Sequence, residues 1–303
     1  IAAPVSQRRT RNAAMAVDFG DIVRDGLVDL CEVDMLSRDT RALRTQIPTH
    51  TALPKAPGRI ADRPQLMRNT LQRNRGDGTF AQIAEIAGVD ASGWTWSTLF
   101  LDVDLDGWED LLVGTGNQWD FMDADTQERL RNRLSTLDWR QQRMTYPRLT
   151  VPNYAFRNRG DLTFEDASAA WGFDAGPDIS HGMAAGDLDG DGDLDIIVNR
   201  LHEPALVLRN DAAAPRLAVR LRGLAPNTRG IGARVRVLGG AVPLQEREVT
   251  AGGLYLSSAD AELSFATGTA ERVQLEVTWR SGRRSVLEAV PGRLYEIDEA
   301  SAT

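Results

Sequence analysis

Residues 102–110 read DVDLDGWED and residues 187–195 read DLDGDGDLD, two copies of one spacing with aspartate at positions one, three, five and nine and glycine at six. A third copy, DIVRDGLVD, occupies residues 21–29. Four carboxylates in nine residues repel one another, since each like-charged pair about 4 Å apart costs about 4 kcal/mol at an effective dielectric of about 20. The loops therefore predict bound cations. Oxygen ligands at alternate positions, with glycine where the chain turns sharply, suit calcium, whose coordination is more flexible than that of magnesium.

The same opening begins an EF-hand, which closes with a bidentate glutamate at its twelfth position between two helices. The twelfth residues here are Glu32, Val113 and Val198, so two copies lack that ligand. The stretches that follow, LVDLCEV, WEDLLVG and DLDIIVN, are short apolar runs that read as strands. The expected ligands are therefore Asp102, Asp104, Asp106 and Asp110 with the carbonyl of Trp108, and Asp187, Asp189, Asp191 and Asp195 with the carbonyl of Asp193. In the first copy they are Asp21, Asp25 and Asp29 with the carbonyl of Leu27.

The first aspartate recurs at 21, 102 and 187, and a second marker keeps the same beat: NRGDGTF at 74–80, NRGDLTF at 158–164 and a shortened LRND at 208–211. Each unit reads as an Asp loop, an apolar strand, an insertion, then an Arg-Asn turn leading to a Thr-Phe strand. Several short strands per unit with Gly and Asp turns predict radial all-β repetition. The joined motifs resemble the FG-GAP (VCBS) repeat of integrin-α-type β-propellers. That resemblance implies one four-stranded blade per unit, hence a partial propeller of about three blades over residues 12–211, and calcium in the loops. Val23 stands where the third-position acid belongs, so two sites are expected to be complete and the first degenerate.

Two insertions, at about 35–70 and 120–150, lengthen the period. Residues 123–142 predict a helix with Leu130, Leu134 and Leu137 on one face and Asp125 and Glu128 as a capping box. Residues 36–66, with four prolines, read as a loop. After Pro215 a period-two alternation takes over, as in Leu217, Val219 and Leu221 or Val273, Leu275, Val277 and Trp279. It predicts a small antiparallel β-sandwich or barrel over 215–298. GIGARVRV, REVTAGGLYLSS and LEVTWRSGRRSVLEAV resemble, in order, the ASPIC/UnbV domain, which accompanies FG-GAP repeats in secreted bacterial proteins and in the cartilage acidic protein family. Two of its motifs are eroded, at Phe265–Gly268 and at Trp279–Gly282.

The chain has 303 residues and a net charge of -8, a sign that the eleven loop aspartates account for. No basic stripe with interleaved aromatics supports nucleic-acid binding, and no apolar run reaches transmembrane length. The start lacks both an initiator Met and a signal-peptide pattern. Because three blades do not close a ring, the chain reads as a piece of a longer protein whose missing blades are its partners. The alternative is an open arc capped by the insertions.

Cys31 reads as a buried small hydrophobe. Trp94, Trp96 and Trp108 are expected around the second loop, as blade packing or sugar stacking. No catalytic constellation assembles from spacing. The expected function is a non-enzymatic, calcium-binding scaffold or adhesion-type module, extracellular, periplasmic or at the cell surface, presenting loops to a protein or carbohydrate. The alternative is a calcium-dependent polysaccharide hydrolase or lyase that joins a metal loop to a side chain such as His181.

Overall fold

The computed structural model describes residues 10–11, 13–46, 65–132 and 137–303. Two short segments, β1 (Thr10–Arg11) and β4 (Gln65–Leu66), pair in parallel. The rest of the first repeat is one antiparallel meander of β2 (Ala16–Gly20), β3 (Asp29–Val33), β5 (Thr70–Asn74) and β6 (Phe80–Gln82). The second repeats it with β7 (Thr95–Leu101), β8 (Asp110–Thr115), β9 (Tyr154–Asn158) and β10 (Phe164–Asp166). The third has β11 (Ser180–Gly186), β12 (Asp195–Arg200) and β13 (Leu206–Leu208). Each Asp loop joins the first two strands of its sheet, where Gly20 faces Asp29, Leu101 faces Asp110 and Gly186 faces Asp195.

The three sheets stack face to face. On the second sheet Phe100, Leu111, Val113 and Phe156 pack toward the first, where Ile22, Cys31, Val33 and Leu71 meet them. Leu99, Leu101, Leu112 and Ala155 pack the other way, against Met183, Ile196 and Val198 of the third. This two-sided burial explains why β8 reads as a continuous apolar run rather than an alternation: all six of its residues are buried. Cys31 is completely buried in the first of these layers.

Asparagines of the Arg-Asn turns tie the sheets together. Asn158 Nδ2 donates to the carbonyl of Glu109 in its own sheet and to that of Ile22 in the first loop, at 3.1 and 3.0 Å. Asn210, in the shortened third marker, reaches back in the same way to the carbonyl of Val103 at 2.8 Å. Asn74 bonds the carbonyl of Val28 at an exposed position. Asn158→Ala leaves two buried carbonyls without a donor and should cost about 2 kcal/mol. Asn74→Ala should cost a fraction of that. Urea denaturation of both variants checks the difference, and equal losses would contradict the inter-sheet role.

The C-terminal unit contains two sheets over one core. The first has the order β19 (Leu263–Ala266), β14 (Arg216–Arg222), β22 (Leu294–Asp298). The second has β16 (Leu244–Glu248), β15 (Arg234–Leu238), β20 (Val273–Thr278), β21 (Arg284–Ala289). Leu217, Val219, Val235, Val237, Phe265, Leu275, Val277 and Trp279 fill the space between them. One expectation is corrected: the unit is not wholly antiparallel, because β22 runs parallel to β14. The cause is connectivity. The chain leaves β21 in one sheet and crosses to the other, entering alongside the first strand of the unit.

A small hairpin, β17 (Gly253–Leu254) and β18 (Ser257–Ser258), leaves this unit and packs where the inner strands β2, β7 and β11 converge. Ser257 Oγ donates to the carbonyl of Met183, and Asp260 N donates to that of Ala185 at 2.8 Å. Among the described residues the chain is thus mainly β, with its sheets in a propeller-like arrangement.

The insertion helices differ from their sequence reading. Instead of one helix over 123–142 there are two, Ala124–Arg131 and Trp139–Met144; Leu134 lies outside the described residues. Asp123, not Asp125, caps the first, and the capping box belongs to Asp138 and Gln141 at the start of the second. In the earlier insertion Thr40–Thr45 is helical with Asp39 as its cap, and residues 47–64 lie outside the described residues.

Candidate metal centres

Backbone amides shape all three Asp loops in the same way. The position-one carboxylate folds the loop over itself. Asp21 accepts from the amides of Asp25 and Gly26, Asp102 from Asp106 and Gly107, and Asp187 from Asp191 and Gly192, all within 2.9–3.2 Å. The position-nine carboxylate staples the loop to its sheet. Asp110 accepts from Val103 N at 2.8 Å and Asn158 N at 2.9 Å, and Asp29 and Asp195 do the same with Ile22 and Asn74 and with Leu188 and Asn210.

This fold needs left-handed backbone twice. Position six supplies it with Gly26, Gly107 and Gly192, and position four with Arg24 (φ 57), Leu105 (φ 55) and Gly190. Gly107 is doubly constrained: its φ is 98, and a Cβ there would lie 2.8 Å from Val242 of the C-terminal unit. In the neighbouring turn, a Cβ on Gly160 would lie 2.8 Å from the ring of Trp108.

Two of the loops gather carboxylates that could hold a metal ion: Asp102, Asp104 and Asp106 in one, and Asp187, Asp189 and Asp195 in the other, with ligand atoms within 4.8 Å of one another. Asp110 lies outside the first group and staples its loop instead. Asp191 turns away from the second group to pair with Arg216 at 2.9 Å. Asp193, expected to offer its carbonyl, also has a buried carboxylate, 3.3 Å from Arg216. Asp21, Asp25 and Asp29 do not form such a group among the described residues.

The arginine of each Arg-Asn turn explains part of that difference. Arg157 Nε lies 2.5 Å from Asp104 and its Nη2 lies 2.9 Å from Asp106, while Arg209 lies 3.8 Å from Asp189. In the first repeat the equivalent Arg73 has Val23, not an acid, at loop position three, and its Nε is buried without a hydrogen-bond partner among the described residues. The arginine side chain keeps the repeat pattern that the loop has lost.

The chemistry of the second loop fits a cation. Asp104 Oδ1 is buried with no hydrogen-bond partner among the described residues, although Arg157 holds the other oxygen. Burial pushes Asp102 up to about 7, against the pull of Arg24 and with the push of Asp106. Burial also raises Asp110 well above the ordinary carboxylate range and raises Asp106. Arg157 and Arg24 offset only part of this negative charge, and a divalent ion would supply the rest.

The C-terminal unit touches every loop. Leu244 faces Gly26, Ala241 and Val242 face Gly107, and Ser264 Oγ donates to the carbonyl of Gly192 at 2.7 Å. Between the first two loops lies a buried charge cluster that sequence reading missed. Glu109 Oε2 accepts from Asp21 N at 2.8 Å, and its Oε1 lies 3.7 Å from Arg24 and 3.6 Å from Arg247.

The aromatic residues divide differently from expectation. Trp108 belongs to the second loop, but Trp94 and Trp96 sit at the opposite end of β7. There Trp96 meets His181 at 4.8 Å and Tyr255 at 5.2 Å between ring centroids. His181 and Asp187 are separated along extended β11 by six residues, about 20 Å at 3.3 Å per residue. The pairing of His181 with the third loop is therefore absent.

With this geometry in view, family comparisons give two matches. An FG-GAP-like repeat model matches residues 60–113 and 147–198, and an ASPIC and UnbV model matches residues 223–303. No curated protein matches the chain.

Proposed function

We propose that this chain, which carries FG-GAP-like repeats and an ASPIC/UnbV domain, is a calcium-binding, non-enzymatic scaffold of the extracellular type. In this reading two calcium ions fix the second and third loops, and the C-terminal unit, docked on all three loops, completes the arc of repeat sheets. The frame then presents its outer loops to a protein or carbohydrate. The observation that carries the reading is the pair of acidic groups at equivalent places in consecutive sheets. FG-GAP repeats are typical of extracellular proteins, and among the described residues no helix is long and apolar enough to cross a membrane. A hydrolase or lyase would need an acid or base beside a metal loop, and His181, the side chain suited to that role, lies at the far end of its strand.

A calcium titration by equilibrium dialysis tests this. Two ions per chain are expected, with Asp104→Ala and Asp187→Ala each removing one and Asp25→Ala removing none. Val23→Asp gives Arg73 the partner that Arg157 has in Asp104 and should raise the count to three. No calcium uptake by the unaltered chain would sink the proposal.

A further inference from the structure

The first two repeat sheets have four strands and the third has three. The outer strands β6 and β10 grow out of the complete turns NRGDGTF and NRGDLTF, whereas the shortened LRND runs into Ala212–Ala214 and Pro215 and on to β14. Among the described residues no strand pairs with the outer edge of β13. The second sheet shows what that edge offers. Ala155 faces Leu112 there as Val207 faces Ile197 here. The amide of Ala155 donates outward to Ser168 Oγ at 3.0 Å, and its carbonyl accepts from Ala167 N at 2.8 Å. Val207, its equivalent, therefore points its backbone N–H and C=O off a free edge, and its side chain is 58% exposed.

A cavity of about 380 Å³ opens beside this edge, between the second and third sheets. Its apolar wall includes Leu112, Trp171, Phe173, Ile196 and Leu208. By repeat position these match Cys31, Ala87, Val89, Leu111 and Phe156, which pack together between the first and second sheets. One more side chain completes that earlier layer. Phe164, the first residue of β10, is packed among them and only 8% exposed. The third sheet has no counterpart of β10, and the cavity lies where the ring of such a strand would sit.

We propose that the third sheet takes its fourth strand from another protein, an extended segment that pairs antiparallel with β13 and sets an aromatic side chain into this cavity. An unpaired strand edge is a template for such addition: main-chain hydrogen bonds supply affinity and the pocket supplies selection. An acid after the aromatic residue suits Arg209. The equivalent Arg157 serves two loop acids and Glu165 of β10 at once, and Arg209 has Asp189 and Asp211 beside it while remaining 63% exposed. A second copy of the chain could offer β6 or β10 only by unpairing it from its own sheet. The proposal goes beyond the scaffold reading by naming a protein strand as the partner. Calcium uptake and strand binding are measured separately, so either can fail alone.

A fluorescein-labelled peptide with the sequence of residues 160–168, GDLTFEDAS, stands in for the partner strand. Fluorescence anisotropy against the full chain should show saturable binding, weakened about tenfold or more when the phenylalanine becomes alanine, the scale of losing a buried aromatic anchor. Bound peptide should slow hydrogen exchange over residues 205–209, which contain β13. Val207→Pro removes the outward amide and spares the bonds to β12, a substitution that edge strands tolerate. It should weaken the peptide about fivefold. If that variant fails to fold, the alanine peptide and the exchange measurement still decide. No saturable binding, equal affinity for the two peptides, or unchanged exchange over 205–209 would each overturn the proposal. So would a dimer of the unaltered chain that Val207→Pro dissociates, since the edge would then belong to a second copy.

Discussion

Glu109→Gln is expected to destabilise the chain by about 3–5 kcal/mol, the usual cost of removing one partner from a buried ion pair. The amide keeps the shape of the side chain, so the loss reports charge rather than packing. Glu109 is 2% exposed and faces two guanidiniums, Arg24, whose side chain is 4% exposed, and Arg247, at 20%. Without the carboxylate both cations stay buried, with hydrogen bonds to the carbonyls of Gly107 and Phe100. The three residues come from the first loop, the second loop and the C-terminal unit, so the cluster joins parts that secondary structure does not. Arg24→Met in the Glu109→Gln background should recover part of the loss, because it removes one uncompensated charge. Guanidinium denaturation of the single and double variants measures both, and a single-variant cost below 1 kcal/mol would refute the role assigned to the cluster.

Why this cluster escaped sequence reading, while the loops did not, is a matter of distance along the chain. The Asp loops and the Asn-Arg-Gly turns are local: their carboxylates accept from amides two to seven residues away, and such spacing is legible directly. Gly26, Gly107 and Gly192 announced one left-handed position in the same way. The second was hidden, since Arg24 and Leu105 carry the same backbone strain without the residue that usually signals it. Glu109 meets a residue 88 positions earlier and Arg247 one 147 positions earlier, and no periodicity encodes such pairs. The alternating strands of the C-terminal unit were legible, as a sandwich or barrel, but the parallel β14–β22 pairing was not, because alternation fixes faces and says nothing of strand direction. The single insertion helix failed for a related reason: Leu130, Leu134 and Leu137 satisfy helical spacing across a segment that Asp138 restarts as a separate helix.

Removal of calcium is the second large expected effect. At free calcium a hundredfold above the dissociation constant, each occupied site adds about 2.7 kcal/mol, so two sites add about 5 kcal/mol. For a chain of this size a chelator should then lower the melting midpoint by on the order of 10 °C, and Asp104→Ala should remove about half of that difference. The effect depends on pH in a definite direction. Burial raises Asp102 to about 7 and Asp110 well above its ordinary range, so the calcium-free fold holds protons that the unfolded chain releases near pH 4. A group whose folded value is raised binds more protons when folded. The calcium-free protein therefore loses stability as pH climbs from about 4 to about 7, and above 7 the penalty is fully present. Calcium bound as proposed would add positive charge and displace those protons, so it would lift that penalty and compete with acid for the same oxygens. The gap between melts in calcium and in chelator should be widest at pH 7 to 8 and should close toward pH 5. A gap that widens on acidification would show that the second loop is not where calcium acts.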